Sequence, residues 1–143
     1  MKDLLNPDQF RSVTITLRTF EEDLLYAQAW LHDAEENGIL YRRKLTLSPE
    51  SRSIAQERIN AALERIGLLA REFGLDCEVE NSANLIRSMM SVNWANLLDT
   101  QSVKLKRFGE VDPKLESALD PEDRQLAQLA LELGAVFDEH FAA

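Results

Sequence analysis

The chain has 143 residues, with 16 Lys and Arg against 25 Asp and Glu, for a formal net charge of −9. That length suits one domain able to bury roughly 70% of its unfolded surface with no disulfide or metal to staple it. The acidic balance speaks against broad nucleic-acid binding and against docking on anionic lipid. A lone Cys77 excludes an internal disulfide and a multi-cysteine zinc site.

The first predicted element starts at Asn6-Pro7. Each of the four prolines follows a residue suited to capping a helix: Asn6-Pro7, Ser48-Pro49, Asp112-Pro113 and Asp120-Pro121. Such side chains accept from the orphan N–H groups of a first turn, and proline at the first helical position loses no needed donor. Gln9, three residues after Asn6, can complete a capping box. The pairs predict four helix starts.

Helix 1 carries Phe10, Val13, Leu17, Phe20, Leu24, Ala27, Leu31 and Ala34, a heptad seam in steps of three and four. Asn37-Gly38 resembles a glycine stop, yet the seam runs on to Tyr41 and Leu45. Both 7–37 and 7–45 therefore stay open, the longer one carrying an interior glycine at about 1 kcal/mol relative to alanine. Helix 2, over 49–73, repeats the pattern with Ala55, Ile59, Ala62, Ile66, Leu69 and Phe73, and Gly74-Leu75 predicts a Schellman-type stop. Helix 3, over 79–108, reads Ala83, Ile86, Met90, Trp94 and Leu97, then Gln101, Leu105 and Phe108, ending at Gly109. Residues 113–119 form either a short separate helix before the last one, 121–141, or its kinked start, since Leu115 and Leu119 are in phase with Leu126. The seam of the last helix is Leu126, Leu129, Leu133, Val136 and His140, widened by Ala130, Phe137 and Phe141. No segment alternates with period two for long enough to be a strand.

Short connections imply antiparallel neighbours. The expected fold is all-α: a single domain over 1–143, an up-and-down antiparallel four-helix bundle with an additional short helix before the last. A period near 3.5 favours the roughly 20° crossings of a left-handed bundle.

Bundle enzymes demand residues that this chain lacks at the required spacing. A di-iron site needs Glu-x-x-His, but Ala29 and Phe137 stand three residues before His32 and His140. No Glu has an acid three residues later, as a magnesium-holding helical pyrophosphohydrolase would need. There is no glycine-rich phosphate loop. Cys77 lies between Asp76 and Glu78, which disfavour its thiolate. No metal, cofactor or catalytic residue is assigned.

Two features point to partners. Between Glu80 and Asp99 the only charged residue is Arg87. Helix 3 there carries a second apolar stripe, Leu85, Met89 and Val92, beside its seam, more than one buried face requires. That stripe, extended by Tyr26 and Trp30 of helix 1, is the candidate interface. The second feature is a set of bases, Arg42, Arg43, Lys44, Lys104, Lys106 and Arg107. An up-and-down bundle gathers these at one pole, a candidate site for an anion or acidic partner. Ser91, Asn93, Asn96 and Gln101 are candidate polar contacts of a ligand pocket.

The first segment, Met1 to Pro7, has no apolar run of signal-peptide length, and no stretch reaches the roughly 20 apolar residues of a membrane span. The expectation is a non-enzymatic cytoplasmic protein-interaction or regulatory bundle, adaptor or chaperone-like, that self-associates as a homodimer. The alternatives are a small-ligand-binding bundle using the uncharged middle of helix 3, and an enzyme with a site of unfamiliar kind.

Overall fold

The structure, a computed structural model, describes residues 4–138. It is mostly helical with little strand, which bears out the all-α class. The chain divides into two compact units, Met1–Glu78 and Val79–Ala143, and each is built on an antiparallel helix pair.

In the first unit, α1 spans Pro7–Leu31 and starts as the sequence predicts. Asn6 Oδ1 accepts from the Gln9 N–H at 2.8 Å, and Gln9 Oε1 accepts from the Asn6 N–H at 3.0 Å, closing the capping box. Its end does not match either predicted boundary, 7–37 or 7–45. His32 closes the helix and Asp33 turns to φ 64. The chain then forms a small antiparallel ladder, β1 (Glu36–Asn37) against β2 (Arg42–Arg43), where no strand was expected.

The cause lies outside the local pattern. The Arg52 guanidinium donates to the Leu31 carbonyl at 2.9 Å and the Leu45 carbonyl at 3.1 Å, and it faces the Asp33 carboxylate at 3.4 Å. One side chain of the next helix thus ties down both ends of the connection. Within it, the Gly38 N–H donates to the Tyr41 carbonyl at 2.9 Å and the Tyr41 hydroxyl donates to Glu36. Gly38 therefore sits in the turn of a hairpin and does not stop α1. Ile39 and Leu40 stand fully exposed at its tip.

α2 spans Pro49–Phe73, as predicted, with Ser48 Oγ accepting from the Ser51 N–H at 3.1 Å. Gly74 takes φ 67, and the Leu75 N–H reaches back to the Ala70 carbonyl at 2.8 Å, the long bond of a Schellman stop. Ile59 is the buried centre of the pair, flanked by half-buried Val13, Leu17, Leu24, Ala62 and Ile66.

In the second unit, α3 spans Ser82–Leu98, α4 spans Ser102–Leu105 and leads into a 3-10 turn at Lys106–Phe108, and α5 spans Leu115–Val136. The continuous helix predicted over 79–108 is therefore broken after Leu98. Of the two readings of 113–119, the structure has the second: the segment opens the last helix, with Pro121 inside α5. Neither Asp-Pro pair starts a helix. Asp112 Oδ1 accepts from the Lys114 N–H at 2.9 Å in the turn that leads into α5. Asp120 bonds to α4 (below). The predicted seam residue His140 and its neighbour Phe141 lie outside the described residues.

Candidate interaction face

α3 and α5 run antiparallel. Arg87 pairs with Asp138 at 3.5 Å, Met90 lies against Gly134, and the Thr100 hydroxyl donates to Asp123 Oδ2 at 2.9 Å. The buried stripe of α5 is the predicted one only in part: Ala130, placed in the widened seam, is buried and Phe137 is half-buried, but the leucines of the seam are not in the core. Asp120, Asp123, Ala127, Ala130 and Gly134 are buried, in steps of three and four. Leu126, Leu129, Leu133 and Val136, expected in the core, are 50%, 52%, 47% and 71% exposed. The physical reason is close approach: a Cβ built on Gly134 would stand 3.4 Å from the Met90 Cβ, a spacing that leucine side chains would wedge open.

Two aspartates fix the end of this pair. Asp120 Oδ1 accepts from the Ser102 N–H at 2.7 Å, and its Oδ2 accepts from the Ser102 hydroxyl at 2.8 Å. A carboxylate of α5 thus caps the start of α4 from 18 residues away. The Ser102 N–H bond holds the Asp120 carboxyl below the usual aspartate range, helped by the Ser102 hydroxyl and Arg124 and opposed by burial. Asp120→Ala is expected to lower the melting temperature of the α3–α5 unit by about 4–8 °C, the shift that loss of a typical cap gives in a domain of this size. The sign with pH follows. A depressed folded-state pKa means that the unfolded chain binds more protons in the interval below the ordinary value. The stabilisation is full above about pH 4 and is lost as pH falls through the lower folded-state value. An acid titration of melting temperature, wild type against Asp120→Ala, reads this as a gap that closes toward low pH.

On α3, Ile86, Met90 and Leu97 are half-buried, whereas Leu85, Met89 and Val92 are 65%, 50% and 60% exposed. At about 100° per residue, this second stripe sits roughly 110–130° from the packing stripe of α3. The Leu126–Val136 stripe sits about as far from the packing stripe of α5, in the same rotational sense. In an antiparallel pair, equal offsets in the same sense fall on the same side. The two stripes therefore form one apolar face across α3 and α5. Sequence reasoning found its α3 half and missed its α5 half. The available signal was a run of small residues, Ala127, Ala130 and Gly134, offering a second stripe on α5.

The other candidate residues fall as follows. Tyr26 and Trp30 belong to the first unit, their ring centroids 5.9 Å apart, with Tyr26 exposed. Ser91 lines an open cleft of about 820 Å³ with Arg87, Leu131, Gly134 and Asp138. Asn93, Asn96 and Gln101 do not line it, and the Asn93 amide donates to the Met89 carbonyl at 2.9 Å. Arg42, Arg43 and Lys44 lie in the first unit, where Arg43 pairs with Glu36 at 3.6 Å and stacks 5.2 Å over Tyr41. Lys104, Lys106 and Arg107 lie in the second unit, with Arg107 5.0 Å over Phe108. Among the described residues, no helix is long and apolar enough to cross a membrane, and no three His, Cys, Asp or Glu side chains are placed to hold a metal ion. The chain matches no protein-family model, no curated protein and no solved structure.

Proposed function

We propose that the chain is a non-enzymatic cytoplasmic interaction or regulatory protein, adaptor or chaperone-like, that self-associates as a homodimer and completes an up-and-down four-helix bundle. The observation that carries this reading is the apolar face of α3 and α5, open to solvent along both helices. Contiguous apolar surface of this kind marks sites of protein association. The net charge of −9 supports a protein partner over nucleic acid or anionic lipid.

The test is the mass of the chain in solution across a range of concentrations, by light scattering or sedimentation equilibrium. A species of twice 16.3 kDa that dissociates on dilution is expected. A monomer at every concentration overturns the homodimer.

A further inference from the structure

We infer that the α3–α5 face binds the same face of a second copy, so that two helices from each chain close one four-helix bundle. This rests on the self-association proposed above and names its surface.

Three observations carry it. The first is area. Leu85, Met89, Val92, Leu126, Leu129, Leu133 and Val136 are each about half exposed or more. Covering them, with the margins between, removes roughly 700 Å² per copy, on the scale of the about 800 Å² per partner of a standard stable interface.

The second is charge. A two-fold interface presents the same patch from both sides, so the patch must tolerate its own image. A charged face meets like charge; this one is free of charge along Leu126–Val136, with Glu122, one turn before Leu126, as the nearest acid in phase. Between Glu80 and Asp99 the only charged residue of α3 is Arg87, which lies on the opposite side of the pair and meets Asp138 at 3.5 Å. Between Leu126 and Val136 the only charged residue of α5 is Glu132. It points away from α3, with its Oε1 accepting from the Gln128 amide at 3.3 Å.

The third is what the leucines leave unexplained inside the chain. The core of the α3–α5 pair uses small residues, so Leu126, Leu129 and Leu133 keep a heptad spacing that this pair does not bury. Heptad leucines pack knobs into holes when another helix layer faces them. A second α3–α5 pair supplies such a layer, and Met89, flexible and polarizable, suits a face that must fit its own image.

The experiment uses the full chain. Met89→Glu and Leu129→Glu each place a carboxylate on the face where it meets its own image. Each is expected to weaken dimerisation at least about tenfold. Unchanged helicity and melting at low concentration would show that the variants stay folded, since both side chains are half exposed in the single chain. Mixing Leu129→Glu with Leu129→Lys is expected to restore dimers that neither forms alone, a rescue that a folding defect does not give. A dimer that survives both Glu variants but is lost with Tyr26→Glu or Trp30→Glu overturns this face and leaves self-association standing. A wild type that is monomeric at every concentration overturns both.

Discussion

Ala127→Leu is expected to destabilise the α3–α5 unit by about 1–3 kcal/mol, the usual cost of forcing extra methylenes into a packed site. Ala127 is 2% exposed and lies mid-way along the small-residue stripe, with Ala130 one turn on and Gly134 beyond it. A leucine there must displace either its own rotamer or the α3 backbone. Gly134→Ala is the opposite case. The new Cβ would meet the Met90 Cβ at 3.4 Å, an ordinary contact, and alanine gains up to about 1 kcal/mol over glycine within a helix. Leu129→Ala, on the outward stripe, should change the stability of the single chain far less than the 2–5 kcal/mol typical of a buried leucine. Chemical denaturation at low protein concentration ranks the three. If Ala127→Leu is tolerated while Leu129→Ala costs several kcal/mol, the leucine seam is the core of the pair, as periodicity alone suggests.

That contrast locates what the sequence makes legible. Helix starts at Asn6-Pro7 and Ser48-Pro49, and the stop at Gly74-Leu75, were readable because each motif is closed by atoms within a few residues. The same logic failed at Asp120-Pro121, where the capping carboxylate serves a helix 18 residues away. It failed at the end of α1, where apolar spacing continues past Gly38 but Arg52 of α2 pins Leu31 and Leu45. α5 carries two stripes at helical spacing, one of leucines and one of small residues. Hydrophobicity selects the first; close backbone approach selects the second. The exposed stripe of α3 was legible because that helix has more apolar positions than one buried face uses, whereas its counterpart on α5 was hidden by assigning its leucines to the core.

Pro121→Ala is expected to stabilise the chain, by up to about 3 kcal/mol, the cost of an interior helical proline. Pro121 lies in the second turn of α5, where it has no N–H to donate to the Ser117 carbonyl and its ring crowds that oxygen. Alanine restores the bond. Part of the gain is offset because an unfolded chain without the proline has more states to lose, roughly 0.4–1 kcal/mol. The expected result is a higher melting temperature and a slightly higher helical signal, with the α4 cap intact. The substitution also tests how Asp120 is aimed. If α5 alone places that carboxylate on Ser102, Pro121→Ala and Asp120→Ala have additive effects on melting temperature. If the distortion forced by the proline turns Asp120 toward α4, the gain from Pro121→Ala disappears in the wild-type background and returns once Asp120 is alanine. Non-additivity of that sign would make the proline part of the device that breaks α3 from α4 and sets the register of α5 against α3. The exposed face depends on that register, because a one-residue shift of α5 would turn its leucine stripe by about 100°.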